Sequence, residues 1–207
     1  MVFNNNFILK DEDGVVDFNL KDSVTLKVGN FYEEDPFPNY KINDNKHTIL
    51  QIGERNILLK EFKKFISLGK SLIDIGSGTC QISNYLAIGT NNQIYAFDSS
   101  FHSLKLGKEF ADKNNIKNIK FVRGDIFTKN FKDKSFDFIW CNGVLHHTKD
   151  PYEAFKCIIP SLKKNGYILL GLYNKIGRFR TKFRKYVYKF FGKKILIKLD
   201  PILRNIP

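Results

Sequence analysis

Residues 71–98, SLIDIGSGTCQISNYLAIGTNNQIYAFD, decide the fold. SLIDIG (71–76) is a short, nearly apolar run that enters two glycines, Gly76 and Gly78. CQISNYLAIG (80–89) has helical character and stops at Gly89, a residue suited to close a helix. QIYAFD (93–98) is a second apolar run. A strand with apolar residues on both alternations is buried on both faces, and strand–turn–helix–strand is the unit of a parallel sheet.

The pattern continues outward. SLKLGKEFADKNN (103–115) predicts a helix, IKFVRGD (119–125) and FDFIWCN (136–142) predict strands, and PYEAFKCIIPSLKK (151–164) predicts a helix broken or bent at Pro160. YILLGLY (167–173) predicts a last strand without charge on either face. Asp150, Pro151 and Glu153 have the spacing of a capped helix start. The chain is therefore α/β and doubly wound. Before this region, the apolar positions between Thr48 and Leu68 predict one amphipathic helix. Residues 7–30 hold short β-like runs broken by an acidic turn at Asp11–Gly14. FYEEDPFPNY (31–40) contains two prolines in three residues, which excludes a regular helix or a central strand there.

With 207 residues, 43% hydrophobic and 14% aromatic, the chain is long and apolar enough for one globular domain. The net charge of +13 is uneven. Residues 175–207 carry 11 Lys or Arg against one acid, Asp200. Three cysteines without CxxC spacing argue against a disulfide framework or a zinc ribbon and fit a reducing cytoplasm. The first residues lack the basic leader and apolar core of a signal peptide, and no run approaches the roughly 18 apolar residues of a membrane span.

The glycine loop carries the chemistry. A nicotinamide or flavin fingerprint would place a third glycine where Gln81 stands. Asp74, two residues before Gly76, would repel a pyrophosphate and attract an ammonium group. With helix N–H groups near Thr79–Cys80 open to a carboxylate, the loop suits a zwitterion such as the methionyl end of S-adenosylmethionine. Asp98, 22 residues after Gly76 at the end of a strand, is placed to accept ribose hydroxyls. Asp125 closes the third strand, where it can accept from an exocyclic amino group while the Ile126 N–H donates to a ring nitrogen. Asp74, Asp98, Asp125 and Asn142 all fall at the carboxyl ends of successive strands, the edge where open α/β sheets bind ligands.

On LIDIGSGT, AFD, GDIF, SFDFIWCNGVLHHTKDP and LKKNGYILLGLYN, which span about residues 71–174, the sequence resembles the class I, Rossmann-like S-adenosylmethionine-dependent methyltransferases. It is most similar to their ubiquinone/menaquinone-biosynthesis subgroup. It departs at Cys80, where the family often has a glycine, and at Lys164-Asn165, where the family turn reads Pro-Gly. The resemblance implies strand order 3-2-1-4-5 and cofactor contacts from Asp74, Gly76, Ser77, Gly78, Asp98, Ser99, Asp125, Ile126 and Asn142. It divides the chain into an N-terminal helical or strap extension (1–46), the cofactor domain (47–174) and a basic amphipathic tail (175–207). It also implies two further strands after the fifth, which are not recognisable beyond Asn174.

In that family the segment after the fourth strand lines the gap between the methyl group and the acceptor. Asn142, His146 and His147 are thus the candidates to face the acceptor. A histidine is suited to bind it or take its proton, His147 more than His146, while a structural role around the helix start stays open. Cys141 reads as a small core residue, and two adjacent histidines on a turn do not make a metal site. FYEEDPFPNY is either a lid placing Phe31, Tyr32 or Phe37 on the cofactor, or a strap packed on the core. The tail, with Phe179, Phe183, Tyr186 or Val187, and Phe190 at helical spacing, suits packing over the acceptor pocket, an anionic membrane surface, or RNA phosphates. The expected activity is methyl transfer to a C, O or N nucleophile of a small-molecule acceptor, with an RNA-directed methyltransferase or a non-catalytic nucleoside-binding domain as alternatives. Asp74 and Gln81 disfavour a nicotinamide oxidoreductase.

Overall fold

A computed structural model describes residues 2–4, 10–18 and 36–173, and places Tyr186, Lys189 and Phe190 in helix. The chain divides into two compact units, Met1–Gly171 and Leu172–Pro207. The first unit contains β1 (Lys10–Glu12), β2 (Val15–Asp17), α1 (Lys46–Arg55), α2 (Ile57–Phe65), β3 (Ser71–Ile75), α3 (Gln81–Ala87), β4 (Gln93–Asp98), α4 (Phe101–Lys113), β5 (Ile119–Arg123), β6 (Phe136–Asn142), α5 (Pro151–Ile158) and β7 (Leu162–Gly171). A turn of 3-10 helix, Leu145–His147, lies between β6 and α5, and another, Ile159–Ser161, follows α5.

The strands form one sheet in the order β1-β2-β5-β4-β3-β6-β7. Five of these, β5-β4-β3-β6-β7, have the expected 3-2-1-4-5 arrangement, and every neighbouring pair from β2 to β7 is parallel. The reason is visible in β3, where side chains alternate between faces. Leu72 and Ile73 are both completely buried, but in different clusters. Leu72 joins Ile49, Leu59, Leu86 and Leu104 beneath the first four helices. Ile73 joins Phe131, Ala154 and Ile158 on the α5 side. A sheet apolar on both faces buries both, which makes the fold doubly wound.

Four expectations shift. The N-terminal extension is more than a strap, because its β1–β2 hairpin joins the sheet beside β5. Asp13 (φ 53°) and Gly14 (φ 74°) form the two-residue turn between them, the left-handed pair that matches strand twist. The single helix expected over 48–68 is two, split at Asn56. That residue donates its N–H to the Gly53 carbonyl and accepts the Leu59 N–H on its side chain, so it ends α1 and starts α2. The helix expected over 151–164 with a break or bend at Pro160 is indeed broken, but slightly earlier: α5 ends at Ile158 and the proline lies in the 3-10 turn that follows. The last strand begins at Leu162, not 167, and passes through Asn165 (φ 65°) with a shift of register between Phe136 and Phe138.

Among the described residues no helix is long and apolar enough to cross a membrane. Tyr186 and Phe190 are helical and exposed. Phe179, Phe183, Val187 and the segment expected to hold two further strands lie outside the described residues, as do Phe31 and Tyr32.

Candidate functional site

The loops leaving β3, β4, β5 and β6 meet at the carboxyl edge of the sheet. Asp98, the last residue of β4, ties two of them together: its Oδ2 accepts the Gly78 N–H at 2.8 Å and its Oδ1 accepts the Ser100 N–H at 2.9 Å. Ser99, half-buried beside it, presents its carbonyl to Arg123 Nε at 3.1 Å. Arg123 also reaches Asp17 at 3.2 Å, which links the hairpin to the loop after β4.

The glycine loop is closed on itself. The Gly76 and Ser77 N–H groups donate to the Phe97 carbonyl, the Gly78 N–H to Asp98, and the Cys80 N–H to the Ser77 carbonyl. The expected carboxylate site at Thr79–Cys80 is therefore corrected at Cys80, whose N–H is spent inside the turn. Gly76 (φ 68°) and Gly78 (φ 52°) both need the left-handed region. A Cβ on Gly76 would lie 2.4 Å from Val144, and one on Gly78 would lie 2.5 Å from the Phe37 carbonyl oxygen.

Asp74, also expected to meet an ammonium group, is 1% exposed and accepts the Ser83 hydroxyl at 2.7 Å. Burial pushes its carboxyl up to about 7, opposed by the Ser83 hydroxyl and assisted by the charge of Asp98. A cation brought near would favour its ionised form.

Asp125 does not close β5, which ends at Arg123; it opens the turn beyond. Its Oδ1 accepts the Phe127 N–H at 2.9 Å, and its carbonyl accepts Asn130 Nδ2 at 2.6 Å. Ile126, next along, is half-buried.

Asn142 ends β6, exposed, with its Oδ1 resting where a Cβ on Gly171 would be. Val144 covers Gly76 and begins the turn Leu145–His147, so both histidines are carried on a segment packed against the glycine loop. The His146 and His147 rings touch, 4.2 Å between centroids; His146 is half-buried and His147 exposed. Cys141 is fully buried, and burial pushes its thiol up to about 12, in keeping with a core residue. The Asp150 carboxylate caps α5 through the Tyr152 and Glu153 N–H groups, while Glu153 pairs with Lys156.

Sequence reasoning missed Val144, Arg123 and Asn130. Arg123 had a signal, since it directly precedes the Gly124-Asp125 pair; Val144 meets Gly76 only through the fold, while Asn130 reaches Asp125 from within the same turn region.

Three carboxylates and a glycine loop at one sheet edge, with the Gly76, Ser77, Gly78 and Cys80 N–H groups already bonded within the protein, fit a nucleoside carrying a cationic group better than a phosphate. Fold and site together define the class I, Rossmann-like methyltransferase architecture. The sequence profile of the family described as "Methyltransferase domain" matches residues 66–198, and the chain belongs to that family of S-adenosylmethionine-dependent enzymes. It is 27% identical over 131 residues to phosphoethanolamine N-methyltransferase 2 of Caenorhabditis elegans, covering 63% of this chain and 30% of that one. It is 25% identical over 140 residues to the ubiquinone/menaquinone biosynthesis C-methyltransferase of Idiomarina loihiensis, covering 66% and 55%. The chain thus spans between about a third and about half of the length of these relatives. In fold it is similar to an S-adenosylmethionine-dependent methyltransferase structure from Methanococcus maripaludis described as putative (TM-score 0.50, 24% identity, 81% and 87% covered). It is also similar in fold to the [4+2]-cyclase SpnF (TM-score 0.57, 21% identity, 70% and 58% covered).

Proposed function

We propose that the protein transfers a methyl group from S-adenosylmethionine to a C, O or N nucleophile of a small-molecule acceptor. The observation that carries this reading is the contact of Val144 with Gly76, which brings the histidine turn against the loop expected to hold the cofactor. When bound, S-adenosylmethionine supplies an electrophilic methyl group on a sulfonium. Asp98 and Ser99 take the ribose side, and Asp125 with Ile126 takes the adenine edge. Asp74, with Gly76, Ser77 and Gly78, forms the floor beneath the methionyl end. Asn142, His146 and His147 face the acceptor. Methyl transfer needs in-line approach more than acid–base chemistry, so their main work is to position the nucleophile. An acceptor that must lose a proton has the exposed His147 at hand. The relatives' names carry different acceptors, an amine in one and a quinone-pathway carbon in the other, so they support the cofactor and leave the acceptor open.

The test is calorimetric titration of the full chain with S-adenosylhomocysteine, using NADH as the control. Binding of the first ligand alone supports the reading. A folded protein that binds NADH and not S-adenosylhomocysteine overturns it.

A further inference from the structure

Residues 36–40, Pro-Phe-Pro-Asn-Tyr, lie directly on the glycine loop. The second glycine of a dinucleotide loop leaves room for backbone to approach a pyrophosphate. Here that room is already filled: a Cβ on Gly78 would be 2.5 Å from the carbonyl oxygen of Phe37. A carbonyl oxygen carries partial negative charge, so the group standing at this point repels a phosphate.

Five contacts hold the segment in place. The Thr79 hydroxyl donates to the Pro38 carbonyl. Gln81 Nε2 donates to the Asn39 carbonyl at 3.2 Å. The Tyr40 hydroxyl donates to the Thr79 carbonyl at 2.8 Å and accepts from Asn84 Nδ2 at 2.9 Å. The Tyr40 ring stacks on Phe110, with centroids 4.6 Å apart and planes 11° apart. Asn84 is fully buried, so its end of this chain is fixed by the core. Meanwhile the Phe37 ring remains 73% exposed, although its carbonyl is packed on the loop.

We propose that residues 36–40 form a fixed wall over the second glycine that selects the cofactor, holding the amino-acid end of S-adenosylmethionine and barring a pyrophosphate, with Tyr40 and Gln81 as the positioning residues. The inference rests on the cofactor reading above. It gives Gln81 a purpose: at the position where a dinucleotide loop has its third glycine, this chain has a carboxamide that reaches the wall. A glycine there has nothing to offer it. The exposed Phe37 ring adds an apolar, electron-rich face suited to a sulfonium.

The amino-acid end is present in S-adenosylhomocysteine and missing from 5′-methylthioadenosine, so a comparison of the two isolates the wall's contribution. Tyr40→Phe removes the hydroxyl and keeps the stack; Gln81→Gly removes the carboxamide. Calorimetric titration of the full chain should show each variant binding S-adenosylhomocysteine about tenfold more weakly, the scale of one lost hydrogen bond. Affinity for 5′-methylthioadenosine should stay within about twofold of wild type. Equal losses for both ligands, or no loss for either, overturn the inference while leaving the cofactor reading intact. A wild-type protein that binds neither ligand overturns both. Each variant's thermal midpoint is read alongside; a variant that melts as wild type does but loses only S-adenosylhomocysteine affinity carries the inference by itself.

Discussion

The Gly78 N–H donates to Asp98 Oδ2 at 2.8 Å, so the residue expected to hold the cofactor's ribose also holds the glycine loop closed. Replacing Asp98 removes both functions together. Asp98→Ala should weaken S-adenosylhomocysteine binding by tenfold or more, since a hydrogen bond to a charged group contributes about 1.5–3 kcal/mol. Asp98→Asn keeps one acceptor oxygen for the loop and should fall between the two. Calorimetry on the three proteins measures the order; an Asn variant as weak as the Ala variant would show that charge matters more than loop closure.

Gly107 sits within α4, where alanine is ordinarily favoured by about 1 kcal/mol. Here the sign reverses. A Cβ at this position would be 2.6 Å from the Cys80 side chain and 2.8 Å from the Thr79 carbonyl, because α4 passes under the glycine loop. Gly107→Ala should therefore destabilise by about 1–3 kcal/mol, the usual cost of overpacking. Urea denaturation checks it.

Asp74 makes stability depend on pH in an unusual direction. Its folded pKa, about 7, lies above the ordinary value of 3.8, so between these values the folded state holds a proton that the unfolded state has released. Its contribution is fully present below about pH 4 and falls as pH rises toward 7, with a limiting slope of about 1.4 kcal/mol per unit. Above about 7 it is flat. The difference in unfolding free energy between wild type and Asp74→Asn, followed from pH 4 to 8, should trace this fall. A difference independent of pH would refute it.

Asn56 serves two helices at once, ending α1 through its N–H and starting α2 through its side chain. Asn56→Ala removes only the side-chain cap and should cost about 0.5–2 kcal/mol. Asn56→Asp retains an acceptor and should restore most of it. Thermal melts of the two variants separate a cap from a general intolerance at this position.

His147 is exposed and rides on a segment packed against Gly76. Once an acceptor is known, His147→Asn should lower kcat by about 10²-fold or more if the residue takes a proton, and should also flatten the acid limb of the pH–rate profile. A raised KM with unchanged kcat would assign it to binding alone.

Strands β3, β4 and β6 were legible because each is a run buried on both faces: LIDI, IYAF and FIWC cannot be anything exposed. The positions of Asp98 and Asn142 at strand ends followed directly. Asp125 was displaced because its side chain serves the turn after β5, and a strand's last hydrogen bond leaves no mark in sequence. The break at Asn56 was hidden by apolar residues that keep helical spacing across it. At the site, the loop's acids and glycines were readable, but the destination of its N–H groups was not. Their partners, Phe97, Asp98 and Ser77, are chosen by a turn whose φ angles only the folded backbone sets. Likewise the meeting of Phe37 with Gly78 joins positions 41 residues apart in sequence, beyond any local pattern.

The pairing of Val15 with Phe121 bears on how the chain acquires this structure. A hairpin made early must wait for a partner strand made about a hundred residues later, and such non-local pairings are slow because the intervening loop must close first. During synthesis from the N-terminus, residues 10–17 leave the ribosome long before β5 exists to receive them. Until then β2 has an open edge of the kind that invites pairing with the wrong chain. The Asp17–Arg123 bond forms only when β5 arrives. The hairpin is thus seated only after β5 has been made, and the loop after β4 is steadied by Arg123 only at that stage.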